Sequence, residues 1–402
     1  MHALVLGAGV VGVTTAYYLS QQGWRTTVVD RAEDVGHAAS YANGGQLSYS
    51  FTDALARPNF VPTIPGLLLG RSQGTRIKLA PGILPWGARF LAQCTTERAR
   101  QNTLAVLHTA ARSADLMQTL RNEVPIEFSH RKAGKLVLLS NQQQLAVARS
   151  NSQLKSDNGC QTVVLTRDEA IEIEPTLQWL TDDFVAAVYS RDDEVADALS
   201  FTKGLRQWLE ENDRAEFRLA ATVKELISSN GAVQAVRVDD EELEADAVVV
   251  CMGAWSDQLL GSVGIKTHVY PVRGYSVTLP PGEHAPLASV TALKQQIVFS
   301  RINGFVRIAG FADFTGFDTS ADRERGRALL ELGRRIAPTL ADYSVDDVQH
   351  WGGYRPMTPD GRPRVGATRL KKLFVNTGHG MLGWTLACAS AADAATAVSQ
   401  SA

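Results

Sequence analysis

The chain opens on an arrangement that leaves few folds available. Ala3–Leu6 is an apolar run, Gly7-Ala8-Gly9-Val10-Val11-Gly12 follows at once, and Val13 to Gln21 carries helical periodicity. A short apolar run without alternation predicts a strand buried on both faces, as in a parallel sheet. Glycines at this spacing have separate mechanical tasks. Gly7 permits a tight turn, Gly9 lets the backbone approach a pyrophosphate, and Gly12 lets helix and strand pack closely. The start of the helix then offers free N–H groups to phosphate. A second strand, Thr26–Val29, ends in Asp30, whose carboxylate stands where a ribose hydroxyl is bound. Glycines alone also mark ordinary turns. The strand before, the helix after and the acid at the next strand end together predict a dinucleotide-binding unit.

The length of 402 residues gives room for two or three domains. Hydrophobic residues at 45%, charged residues at 20% and a formal charge of −2 exclude a disordered chain and a basic nucleic-acid surface. Cys94, Cys160, Cys251 and Cys388 form no Cys-x-x-Cys pair, which argues against a disulfide framework or a zinc site and for a reducing compartment. The histidines show no His-x-x-x-His spacing, so no metal site is expected. Met1-His2 leads directly into the first strand, and no apolar run reaches bilayer length. A cytoplasmic protein is therefore expected, with any membrane contact peripheral and on the inner face.

Along the chain, Ser40-Tyr-Ala42-Asn43-Gly44-Gly45-Gln46 combines small and amide residues that suit a backbone wrapped around a ligand; a plain Asn-Gly turn is the alternative. Between 55 and 95, five prolines interrupt apolar pieces, and Trp86, Phe90 and Cys94 share one helical face. That stripe suits a core or a membrane-contacting surface. Helices are predicted over 98–123, 141–155, 168–174 and 322–336, and over 198–211 with Asp197 as N-cap. Strands are predicted at Lys135–Leu139, 184–190, 269–279 and 296–310, with a hairpin turning at Asn230-Gly231. Ala247–Val250 reads as another buried strand, and Met252-Gly253 lies just past its end, where open α/β sheets place ligands. Finally Leu373–Asn376 feeds a glycine-rich turn and a helix of small residues, aiming N–H dipoles at an anionic group. The predicted fold is α/β, α+β overall. A Rossmann-like domain is assembled from 1–55, 197–262 and 350–402. A β-rich substrate domain with a helical insert occupies 56–196 and 263–349.

The chain resembles the FAD-dependent D-amino-acid oxidase/glycine oxidase superfamily almost end to end, and within it the bacterial D-amino acid dehydrogenase branch. The carriers are the glycine turn, Val28-Val29-Asp30-Arg31, Ser40–Gln46, Tyr270-Pro-Val-Arg273-Gly274-Tyr275-Ser276, Arg355-Pro356-Met357-Thr358-Pro359-Asp360-Gly361 and Asn376-Thr-Gly378-His379-Gly380-Met381-Leu382-Gly383-Trp384-Thr385. The resemblance implies FAD held by Gly7, Gly9, Val10, Val11 and Gly12, with Asp30 on the adenosine ribose beside Arg31. It places Ser40, Ala42, Asn43, Gly44, Gly45 and Gln46 along the pyrophosphate and isoalloxazine. Val223 holds the adenine side through its backbone, and Met252 and Gly253 approach the cofactor. Gly378 and Gly380 to Thr385 lie at the flavin pyrimidine edge, where a helix N-terminus stabilises anionic reduced flavin. With Trp351-Gly352-Gly353-Tyr354 where related sarcosine oxidases carry a cysteine, FAD is expected to be non-covalent. A separate NAD(P) domain is not expected.

Arg355 is the expected carboxylate-binding residue, since a guanidinium grips a carboxylate with two parallel hydrogen bonds. Tyr275 and His379 are further pocket candidates. Where the branch carries a tyrosine before the strand leading into Arg301, this chain has Gln295. That substitution favours a polar or cyclic substrate such as D-proline or hydroxy-D-proline over D-alanine. The expected activity is hydride transfer from Cα of a D-amino or imino acid to flavin N5, with electrons passed to a quinone or other non-oxygen acceptor. The alternatives are an oxygen-using oxidase of glycine, sarcosine or a cyclic imino acid, and a subunit of a multi-subunit amine dehydrogenase.

Overall fold

The computed structural model describes residues 1–346 and 348–401. Strand His2–Leu6 lies between Arg25–Val29 and Ala247–Val250 and runs parallel to both. Its apolar run is needed because alternate residues serve opposite cores. Ala3 and Val5 join the cluster that contains Val13, Leu386 and Ala394, whereas Leu4 and Leu6 join Val236, Val248 and Leu260. The full order is Arg364–Ala367, Leu373–Thr377, Ala247–Val250, His2–Leu6, Arg25–Val29, Ala215–Arg218, with only the first strand antiparallel to its neighbour. This order brings the two ends of the chain together. Helix Val10–Gln21 packs on helix Gly383–Ser401, whose alanines let the backbones approach, and Trp24 Nε1 donates to Ser399 Oγ at 3.0 Å.

A second, nine-stranded sheet has the order Gln349–Met357, Tyr270–Leu279, Phe305–Phe314, Ile297–Ile302, Ser289–Ala292, Lys135–Leu139, Ala186–Ser190, Val163–Thr166, with Thr75–Ile77 pairing beside the end of Phe305–Phe314. Helix Asp322–Ile336 is strongly amphipathic and buries Leu329, Leu332 and Ile336 against Val277, Phe299 and Ile308. Residues 42–48 leave the first sheet and run across the second. Ser276 Oγ donates to the Ala42 carbonyl at 2.6 Å, Arg307 Nη1 to Asn43 O at 3.3 Å, and Gln46 pairs with Val195.

The expected helices and strands are present within a few residues of their predicted bounds, including helix Ala198–Glu211, where the Asp197 carboxylate accepts from the N–H groups of Leu199 and Ser200. The strand expected over 296–310 is instead a hairpin turning at Asn303-Gly304, both with positive φ, which a two-residue I′ turn requires. The Trp86/Phe90 stripe belongs to a core. In helix Ile83–Gln93 the two rings stack at 5.3 Å, Tyr270 and Phe314 close over them, and Trp86 Nε1 donates to Met357 O at 3.0 Å. The opposite face leaves Leu84 and Leu91 exposed, as are Leu68, Leu69 and, at 87%, Leu79. No helix among the described residues is long and apolar enough to cross a membrane.

Candidate active site

At the first turn, Gly7 has φ +109°, and a Cβ there would lie 2.7 Å from the Cys251 carbonyl oxygen. A Cβ on Gly12 would lie 1.8 Å from Gly7 O, whereas one on Gly9 would meet nothing nearer than Ser40 Oγ at 3.6 Å. Helix Val10–Gln21 has no acid in its first turn, and Val10 N–H donates to Ser40 Oγ at 3.0 Å. The positive helix end is thus left free of any carboxylate of its own. Asp30 accepts from Ala8 N at 2.7 Å and Ala32 N at 2.9 Å, so its carboxylate is fixed at the end of its strand. Arg31 stacks on Trp255, 4.4 Å from the ring centroid. Val223 opens the strand Val223–Ser229.

Further in, Gly45 N–H donates to Asn43 Oδ1 at 2.9 Å, and Gly45 O accepts from Ala196 N at 2.8 Å. Gln46 hydrogen-bonds Ser289, and Ser48 N–H donates to Thr385 Oγ1 at 3.0 Å. Thr385 thereby ties the start of the C-terminal helix to the residues following Gln46. Met252 caps a short turn, and Gly253 O accepts from Thr377 Oγ1 at 3.1 Å. Gly378 and Gly380 have positive φ, and Gly380 N–H donates to Pro356 O at 3.0 Å, joining this turn to the strand of Arg355.

Arg355 lies flat against Gly274: a Cβ on that glycine would come within 2.5 Å of guanidinium atoms. Its Nη1 donates to Phe311 O at 2.6 Å and its Nη2 reaches Gly310 O at 3.5 Å. Both carbonyls sit at a bulge where Phe311 has φ +59° and the register with Tyr270–Leu279 shifts by one residue. Behind it, Asp313 accepts from Arg325 at 2.8 Å and from the Tyr275 hydroxyl at 3.0 Å. Arg355 is held by carbonyls, not carboxylates, and desolvation pushes its pKa down to about 10. A shielded guanidinium with no bonded anionic partner among the described residues is suited to an incoming carboxylate.

Comparison with known proteins decides the family. The model described as "FAD dependent oxidoreductase" matches residues 2–397. The chain belongs to this family. It is 37% identical to "D-amino acid dehydrogenase" of Dechloromonas aromatica, covering 99% of this chain and 97% of that protein. It is 39% identical to "D-amino acid dehydrogenase 2" of Ralstonia nicotianae, over 97% and 95%. Among solved structures, the L-proline dehydrogenase from P. horikoshii superposes with a TM-score of 0.76 at 20% identity over 99% of this chain and 93% of the other. Glycine oxidase from Geobacillus kaustophilus gives 0.74 at 21%, over 100% and 95%.

This FAD-dependent oxidoreductase has residues that fit its cofactor. The open space over Gly9, the carboxylate-free helix end and the fixed Asp30 carboxylate are what a nucleotide pyrophosphate and ribose require. Several expected site residues are placed otherwise than anticipated. The Gln295 amide hydrogen-bonds Asp182 and borders a small cavity with Leu180, Phe184 and Phe299, so the structure does not bring it to Arg355. Gln296, held at φ +55°, takes the neighbouring place: its carbonyl accepts from Phe311 N at 3.2 Å, between the Gly310 and Phe311 carbonyls that face Arg355. The His379 ring turns into the C-terminal helix, 2.9 Å from Ser390 Oγ, and burial pushes its pKa down to about 4. It is a neutral packed imidazole. The Trp384 ring lies between Phe201 and Phe128, and Met381 is exposed. The Tyr275 hydroxyl is committed to Asp313 inside the core. Sequence reasoning overlooked Gly274, Asp313, Arg325, Ser48 and Lys135. Two carried a signal: Gly274 lies inside the Tyr270–Ser276 motif, and Lys135 is a charge opening an otherwise apolar strand.

Proposed function

We propose that the chain is a dehydrogenase of D-α-amino acids in which Arg355 holds the substrate carboxylate and a quinone-type carrier takes the electrons. The observation that carries this reading is the Arg355 guanidinium, packed on Gly274 and bonded, among the described residues, to carbonyls alone. Relatives named D-amino acid dehydrogenase, 33–39% identical over nearly the whole chain, support the D-amino acid class. Bound FAD supplies a hydride acceptor at N5. The chain's own contribution is placement and electrostatics. Arg355 fixes the carboxylate and thereby the direction of Cα–H, and the substrate's neutral amine drives hydride departure without a side-chain base. The imino acid formed hydrolyses in water. Cyclic D-imino acids such as D-proline fit the same chemistry, although Gln295, turned towards Asp182, no longer argues for them.

In this reading Gly7, Gly9, Gly12 and Asp30 hold the nucleotide, 40–46 follow the pyrophosphate and ring, and the turn 378–385 closes the pyrimidine edge. The cofactor domain comprises 1–55, 197–262 and 350–402. The exposed leucines at 68, 69, 79, 84 and 91 give the Pro-broken segment an apolar surface suited to the cytoplasmic face of a membrane in which a quinone dissolves. The deciding test is Arg355→Ala with an artificial electron acceptor. Loss of a charge-assisted carboxylate contact costs about 2–5 kcal/mol in transition-state stabilisation, roughly 30- to 5,000-fold in kcat/KM, while the protein stays yellow. Wild-type kinetics in this variant, or faster turnover of L- than of D-isomers by the parent enzyme, overturns the proposal.

A further inference from the structure

Lys135 is buried, at 2% exposure, at the head of the strand Lys135–Leu139 beside Ser289. Its ammonium donates to Ser48 Oγ at 2.9 Å and to Gln46 Oε1 at 3.1 Å, and sits 4.1 Å from the centroid of the Phe51 ring. All three partners are neutral. The nearby acids are engaged elsewhere: Asp193 accepts from Ser50 N at 3.0 Å and Ser50 Oγ at 2.9 Å, and Asp53 is paired with Lys155 at 2.5 Å. Burying an ammonium without a bonded counter-ion costs several kcal/mol. Desolvation accordingly pushes its pKa down to about 8, which still leaves the ammonium charged at neutral pH.

The place where this charge is spent is informative. Gln46 and Ser48 are the residues to which Thr385, in the first turn of the 19-residue C-terminal helix, is also bonded. The stretch is therefore flanked by two positive sources, a helix N-terminus on one side and a buried ammonium on the other. Reduction of FAD by a hydride adds two electrons and one proton and leaves an anionic ring system. A preorganised positive charge beside it favours the reduced form.

We propose that Lys135 is a positioning residue that acts through Gln46 and Ser48 to raise the reduction potential of the bound flavin, so that electrons leave the amino-acid substrate readily. The inference rests on the placement of residues 40–46 beside the flavin ring. The experiment is a redox-dye titration of the holoenzyme in three forms: wild type, Lys135→Met and Lys135→Arg. Lys135→Met shifts the flavin equilibrium at least tenfold towards the oxidised form, a fall of about 30 mV for a two-electron couple. Lys135→Arg, which keeps the charge, stays within threefold of wild type. Should Lys135→Met fail to hold FAD, Lys135→Gln, which retains a donor for Ser48 without the charge, is expected to show the same fall. An unshifted potential in a neutral variant whose melting temperature alone changes makes Lys135 a structural residue and overturns the inference. The visible spectrum of Gln46→Leu separates two kinds of failure. A changed flavin spectrum alongside an unshifted Lys135 variant refutes the charge role alone. An unchanged spectrum alongside it places the flavin away from this loop and refutes both.

Discussion

The glycines of the first turn make opposite predictions when each is replaced by alanine. At Gly12 the new Cβ lies 1.8 Å from Gly7 O, about 1.6 Å short of ordinary contact. Both atoms belong to backbone or start from it, so no side-chain rotation relieves the clash. Helix Val10–Gln21 must move off its strand and loosen the packing of Val10, Val13 and Ala16 in the first core. Overpacking of this kind costs about 3 kcal/mol, a fall in Tm of roughly 3–4 °C in a chain of this length. Gly9 differs. Its φ is −73°, which any residue adopts, and its Cβ would meet only Ser40 Oγ at 3.6 Å. Gly9→Ala therefore leaves the apoprotein within about 0.5 kcal/mol of wild type. With the pyrophosphate over Gly9 as proposed, the methyl occupies its path and FAD affinity falls about 10- to 100-fold, equivalent to roughly 1.4–3 kcal/mol. Circular-dichroism melting of the apoproteins and quenching of flavin fluorescence on titration measure the two effects. Wild-type FAD affinity in Gly9→Ala, or wild-type melting in Gly12→Ala, refutes the reasoning.

His379 makes the fold sensitive to acid. Its folded pKa of about 4 lies below the ordinary value near 6.5, so its stabilising contribution is complete above 6.5 and is lost as pH falls towards 4, to a limit of about 3 kcal/mol. Urea midpoints at pH 7 and pH 4.5 converge in His379→Asn relative to wild type; an equal pH dependence in both removes His379 as the cause. The leucine surface is tested by flotation with vesicles of bacterial phospholipid. Leu79→Ser/Leu84→Ser loses the floating fraction while Trp86→Phe, altering a core ring, keeps it, and a wild type that does not float ends the membrane proposal.

What the sequence reveals here depends on how local the determining contacts are. The first strand, turn and helix are legible because the unbroken apolar run Ala3–Leu6 and the close approach of Gly12 to Gly7 act within a dozen residues. Arg355 is legible as a candidate from its Arg-Pro-x-Thr-Pro-Asp setting. Its geometry is not, because the two carbonyls that hold it come from Gly310 and Phe311, at a bulge formed by a strand far away in the chain. Gln295 was misplaced for a similar reason. The left-handed backbone at Gln296 decides which of two adjacent glutamines approaches that bulge, and one residue of difference reverses the direction of a side chain. His379 and Trp384 share a motif with Gly378, Gly380 and Gly383, but the turn sends their rings into the helix core. Lys135 is the sharpest instance. On its own strand it reads as a solvated end to an apolar run, and only the arrival of residues 46–51, laid across it from another sheet, turns it into a buried charge. A lysine that pays a desolvation cost where two separated segments meet is informative about their meeting point, and both hydrogen bonds of this one are to the stretch beside which the flavin is proposed to lie.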